Sequence, residues 1–132
     1  MLRAAKLIAF AATTNGARAR EFYVGVLGLP VISDDAFALA LDANGTMLRI
    51  QKLEVFAPHP FTTLGWEVVD IDNAVDELSK RGVVFERYPG MAQDQRGIWY
   101  SPSGAQVAWF KDPDGNTLSL TRRVSPAETH NA

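Results

Sequence analysis

Short runs of apolar and small residues are broken along this chain by pairs of turn-forming residues. Leu7 to Thr13 is such a run. It ends in a Thr-Thr-Asn-Gly turn and predicts a first strand. Asn15 is placed to cap the next segment, since a side-chain oxygen there accepts a helix-terminal N–H. From Ala17 to Val26, the residues Ala19, Phe22, Tyr23 and Val26 share one helical face. Gly28 and Pro30 stop that helix. Three short strands are then predicted at Val31 to Ser33, Phe37 to Leu41 and Thr46 to Lys52. Turns at Asp34-Asp35 and Asn44-Gly45 separate them.

After a connector from Leu53 to Pro60 the order restarts. Thr62 to Val69 alternates as a strand, with Leu64, Trp66 and Val68 on one face. Asp70 or Asp72 caps a helix over Asn73 to Arg81, whose apolar stripe is Ala74, Val75 and Leu78, and Gly82 ends it. Val83 to Arg87 is predicted as a short strand, followed by a polar segment to Arg96. The last strands are predicted at Ile98 to Tyr100, Gln106 to Lys111 and Thr117 to Arg122, with turns at Ser103-Gly104 and Pro113-Asp114-Gly115-Asn116. Strand, helix and strands are thus stated twice, with helices starting roughly 55 residues apart, which suggests an internal repeat. Each half alone is too small to bury both faces of its sheet. Layer logic therefore gives an α+β fold in which two modules, residues 6–52 and 62–122, curl into one half-open barrel with a central cavity. They form a single domain over residues 1–124, with a flexible tail at 125–132.

Composition narrows the functions. The 132 residues suit one compact domain, and 47% hydrophobic residues supply a core. A net charge of -2 gives no electrostatic footprint for nucleic acid. The chain has no cysteine, which removes disulfides, thiolate metal sites and a cysteine nucleophile, and fits a cytoplasmic location. The apolar stretch Leu7 to Ala12 is too short for a signal peptide, and no stretch is long enough to span a bilayer, so no membrane partner is expected. There is no Ser/His/Asp constellation and no phosphate-binding glycine loop.

Three blocks carry a family resemblance. NGARAREFYVGVLGL (Asn15 to Leu29), GWEVVDIDNAVDELSKRG (Gly65 to Gly82) and WFKDPDGNTLSL (Trp109 to Leu120) together resemble the vicinal oxygen chelate superfamily, which includes glyoxalases, bleomycin-resistance proteins and dioxygenases. The resemblance covers about residues 6 to 122. It implies paired βαβββ modules around a cavity that binds small molecules.

The resemblance also implies positions for a divalent metal held by His and Glu. Carried over one by one, they fall on Ile8, Thr63 and Ser119, with an optional fourth near Arg49 or Gln51. Isoleucine offers no lone pair, threonine and serine are weak ligands, and arginine repels a cation. The histidines are His59, in the connector, and His130, in the tail. No metal and no other cofactor is therefore expected at the family position.

Strand alternation then names a candidate cavity lining. If Ile8, Thr63 and Ser119 face inward, so do Phe10, Gly65, Glu67 and Thr117, and Met47, Arg49 and Gln51 share one face. Leu7, Leu64, Trp66 and Val68 should pack under the helices. The candidate ligand-binding residues are Phe10, Arg49, Gln51, Thr63, Glu67, Trp99, Tyr100 and Ser119, with no catalytic residue assigned. Arg49 and Glu67 either neutralise each other as an ion pair, or Arg49 receives a ligand carboxylate or phenolate. Glu67 becomes a general base if burial raises its pKa. Trp99 and Tyr100 either close the cavity mouth over a flat ligand or fill a core edge or dimer contact. Of Trp109 and Phe110, one is core and the other faces the cavity or an interface.

The expected function is that of a metal-independent binding protein sequestering a small flat or anionic ligand. It resembles the bleomycin-resistance branch, in which a homodimer shares the site. The alternative is a lyase, isomerase or other enzyme of the same superfamily, with an atypical metal site or a metal-free site built on Glu67 and Arg49.

Overall fold

The computed structural model describes residues 1–124; the tail expected at 125–132, with His130, lies outside them. After a 3-10 turn at Leu2–Ala4 come β1 (Ile8–Thr13), α1 (Gly16–Arg20) and a π-helical turn (Glu21–Val26). Then follow β2 (Val31–Asp34), β3 (Ala38–Ala43) and β4 (Thr46–Lys52). The second round has β5 (Thr62–Glu67), α2 (Ile71–Lys80), β6 (Trp99–Tyr100), β7 (Gln106–Lys111) and β8 (Thr117–Arg122). The strands form two four-stranded sheets, ordered β1-β4-β3-β2 and β5-β8-β7-β6. The fold is α+β with two similar modules. The sheets are not closed into a barrel, and among the described residues no strand is shared between them.

The chain divides into two compact units. One is Met1–Thr63 with the turn Asp112–Asn116; the other is Leu64–Lys111 with the described residues from Thr117 to Val124. In the first unit, Asn15 caps α1 by accepting the Arg18 N–H at 3.1 Å. The helix then widens: Leu27 N–H reaches the Phe22 carbonyl, five residues back, at 2.9 Å. Ala19 and Tyr23 are buried from this helical segment, and Leu39, Leu41, Leu48 and Ile50 are buried from β3 and β4. Each large aliphatic side chain buried there contributes roughly 1.5–3 kcal/mol. Asn44 (φ 53) and Gly45 (φ 93) form the hairpin turn that their positive-φ tolerance suggested. Leu7, expected under the helix, precedes β1 and is 73% exposed.

The Asp-Pro-Asp-Gly-Asn turn is more than a loop. The Asp112 carboxylate is buried and accepts from the Tyr23 hydroxyl at 2.6 Å and the Asn116 side-chain amide at 2.8 Å. Its other oxygen takes the backbone N–H groups of Asp114 and Asn116. Asn116 also donates to the Ala12 carbonyl at 3.1 Å, and Asp114 takes Thr13 Oγ1 and the Thr14 N–H. Burial, then the Asp112 carboxylate, push the Tyr23 hydroxyl far above the ordinary tyrosine range.

In the second unit, Asp70 caps α2 through the Asn73 N–H at 3.1 Å, and Ile71 and Val75 are buried. Gly82 (φ +94) ends the helix region. Phe110 and Leu118 fill the core beneath it, and Phe85 meets Phe110 edge-on at 5.5 Å. Val83 to Arg87, expected as a strand, is not one. Its sheet-directed backbone bond runs from Glu86 N–H to the Trp109 carbonyl, and one such bond makes no ladder. Side-chain bonds shape the loop beyond it. Gln93 donates to the carbonyls of Glu86 and Gly97 and accepts the Tyr88 N–H. Arg87 donates to the carbonyls of Asp94 and Gln95.

Candidate functional site

Sheet register decides which candidate residues share a surface. In the first unit, parallel pairing sets Phe10 beside Arg49, and antiparallel pairing sets Arg49 beside Ala40. The flanking rows are Ile8–Met47–Asp42 and Ala12–Gln51–Ala38. Phe10, Arg49, Gln51, Ile8 and Met47 therefore lie on one face, as alternation predicted. The opposite face carries Leu39, Leu41, Leu48 and Ile50 and is buried. Phe10 is 50% exposed and Arg49 is half-buried. A cleft of about 310 Å³ opens at the Ile8–Met47–Asp42 end, lined also by Lys6, Leu7 and Ile32.

Arg49 makes no ion pair or side-chain hydrogen bond among the described residues. Its field reaches Asp35, whose carboxyl sits below the usual range chiefly because the Phe37 and Ala38 N–H groups bind it, with Arg49 adding to the effect. A half-buried guanidinium retains donors for a planar anion.

In the second unit, Trp109 pairs with Ser119 and Trp99 with Val107. Trp99, Trp109, Ser119 and Thr117 thus share one face, opposite Phe110 and Leu118. The rings gather there: Trp99 and Trp109 centroids are 6.1 Å apart, and Tyr88 meets Trp109 edge-on at 5.5 Å. All three are half-buried, so their ring surfaces remain partly open. Burial and then the nearby Glu86 carboxylate raise the Tyr88 hydroxyl above its ordinary range. Gly65 lies against Ser119: a Cβ at Gly65 would stand 2.6 Å from Ser119 Oγ. Thr63 shares a β5 face with Gly65 and Glu67, and its hydroxyl is buried with no hydrogen-bond partner among the described residues.

Two expectations change. Tyr100 pairs with Gln106 and points away from the Trp99 face, because neighbouring residues on a strand alternate. Glu67 is exposed and bound by Arg123 at 2.7 and 3.2 Å, so Arg49 is not its partner. That guanidinium lowers the Glu67 carboxyl below its ordinary range, the opposite of what a general base requires. The candidate list also missed Tyr88. It lies outside any strand, and only the ring contact with Trp109 marks it. Trp109 was half-legible: its place next to Phe110 in one strand required one ring on each face, and the buried one is Phe110.

The side chains at the positions the resemblance implies for a metal are each poor ligands for a divalent ion. Ile8 contributes a hydrocarbon chain, Thr63 and Ser119 contribute neutral hydroxyls, and Arg49 is a cation. Among the described residues, no group of three or more His, Cys, Asp or Glu side chains is placed to hold an ion. His59 is exposed and stacked on Phe61.

Residues 7–120 match the family described as the Glyoxalase/Bleomycin resistance protein/Dioxygenase superfamily. Over 120 residues the chain is 32% identical to Uncharacterized protein YraH of Bacillus subtilis (strain 168), covering 79% of this chain and 87% of that one. Among solved structures, a member of the same superfamily from Sphaerobacter thermophilus DSM 20745 matches at 25% identity and a TM-score of 0.68, over 93% of this chain and 100% of that one. TnmS3, an antibiotic binding protein from Streptomyces sp. CB03234, matches at 22% identity and a TM-score of 0.68, over 92% and 98%. At the latter identity the likeness is one of fold.

Proposed function

This chain belongs to the Glyoxalase/Bleomycin resistance protein/Dioxygenase superfamily, and on that premise we propose that it is a metal-independent binding protein sequestering a small flat, anionic ligand. The observation that carries this reading is Arg49, a half-buried cation without an ion pair among the described residues, in register with the exposed ring of Phe10. A half-buried guanidinium favours a carboxylate or phenolate, which it can bind with two parallel hydrogen bonds. The exposed ring of Phe10, beside Arg49 in the same sheet, supplies a surface against which a flat molecule can pack. Ala38 and Ala40, beside Gln51 and Arg49 in the register, add only small apolar side chains to that face. The antibiotic-binding activity of TnmS3, a protein of the same fold, supports a binding role.

Glu67 does not support the catalytic alternative. It is exposed, and Arg123 holds it ionised to lower pH than usual. The donor set supports metal independence, since the hydroxyls of Thr63 and Ser119 compete poorly with water for a divalent ion. The test is metal analysis of protein purified without chelator, with thermal-shift titrations of zinc, manganese and magnesium. The expected result is substoichiometric metal and no shift. A stoichiometric metal with a saturable shift overturns the reading in favour of the enzyme.

A further inference from the structure

A second recess lies in the second unit, on the Phe110 side of its sheet. It runs between α2 and the chain from Val83 to Arg96, has a volume of about 390 Å³, and lies within the size range of roughly 300–1,000 Å³ usual for ligand pockets. Trp109 and Ser119 point to the other side of that sheet, so this recess is separate from the aromatic face described above.

Its floor is apolar: Val75 is buried, and Val83 and Phe85 are half-buried. Its rim carries two guanidiniums, Arg87 and Arg96, with the Ser79 hydroxyl and the Asp76 carboxylate. Both arginines are fixed on one side. Arg87 spends Nη2 on the carbonyls of Asp94 and Gln95, at 2.6 and 2.9 Å. Arg96 spends Nε and Nη2 on Asp76, at 2.9 and 3.1 Å. The Nε and Nη1 of Arg87 and the Nη1 of Arg96 make no bond among the described residues. The loop bearing both arginines is itself tied by Gln93 and by Asp94, which accepts the Arg96 and Ile98 N–H groups. These groups are ordered before anything binds, which lowers the entropic cost of binding.

We propose that this recess is a binding site for a small organic anion, a carboxylate or sulfonate carried on an apolar group. The apolar part lies on Val75, Val83 and Phe85, and the anionic head takes the remaining N–H donors of Arg87 and Arg96. Asp76 is a built-in competitor, because it occupies one edge of Arg96 and offsets its charge. A neutral molecule of the same shape gains the floor but not the rim.

The test is an NMR titration of the full chain with hexanoate, using 1-hexanol as the neutral control. Saturable shifts are expected at the amides of Val75, Ser79, Val84 and Arg96, weaker by about fivefold or more for hexanol. Arg96→Gln should weaken hexanoate binding by a similar factor. Asp76→Asn should strengthen it, an opposite sign that loss of folding cannot mimic. The Trp99 and Trp109 indole N–H signals report the other face independently. The proposal is overturned if the shifts do not gather on the recess, if hexanol binds as well as hexanoate, or if the two substitutions leave the affinity unchanged.

Discussion

Tyr23 donates its hydroxyl to Asp112 at 2.6 Å, across 89 positions of sequence, with both groups buried. The bond joins the helical segment after α1 to a turn that would otherwise be only a good hairpin signal. The Tyr23→Phe protein should lose about 1–3 kcal/mol, because one oxygen of a buried carboxylate keeps only the Asn116 amide. Urea unfolding of the two proteins measures it.

The same bond sets a pH dependence. Burial first, and Asp112 second, raise the folded-state pKa of Tyr23 above its ordinary value of 10.0. The folded state thus favours the neutral phenol. Its stabilisation is fully present below the unfolded pKa and is lost as pH rises toward the folded one. The wild-type protein should lose stability progressively above about pH 10, and Tyr23→Phe should remove part of that slope. Identical slopes for the two proteins between neutral pH and pH 11 would contradict the assignment.

Gly65 should be intolerant of even one methyl group. Its added Cβ would stand 2.6 Å from Ser119 Oγ, so the buried Ser119 side chain would have to shift. Gly65→Ala should cost about 1–2 kcal/mol. Adding Ser119→Ala should restore most of it, a coupling that a double-mutant cycle reads directly.

Gln93 should control the loop that carries Tyr88. Its side chain makes three bonds to loop backbone, to Glu86, Gly97 and Tyr88. Gln93→Ala should speed amide exchange from residue 86 to 97 and leave the β7–β8 ladder protected. Uniform acceleration in both regions would show that the loop has no independent stability.

Much of this fold was legible because it rests on local signals. The bounds of β4, β7 and β8 follow from alternation and flanking turns, and Asn15 and Asp70 cap helices as their residue types suggest. Val83 to Arg87 misled because β-branched residues report a preference, not a partner: only Glu86 finds the sheet. The clasp at Asp112 was invisible in another way. Its partners, Tyr23, Ala12 and Thr13, are distant in sequence, and a turn signal does not reveal what the turn packs on. In the candidate site, the face holding Phe10, Arg49 and Gln51 was readable from period-two spacing. The Glu67 partner was not, because Arg123 lies just beyond the last strand and nothing local links the two.

The most direct test of the central claim is calorimetric titration of naphthalene-2-carboxylate, a flat anion, into chelator-treated wild-type protein and Arg49→Gln. Saturable binding by the wild type without added metal is predicted, with a loss of about tenfold or more in the variant, as expected for a charged hydrogen bond. Equal affinity in the two proteins, or binding that appears only when a divalent cation is supplied, would contradict it.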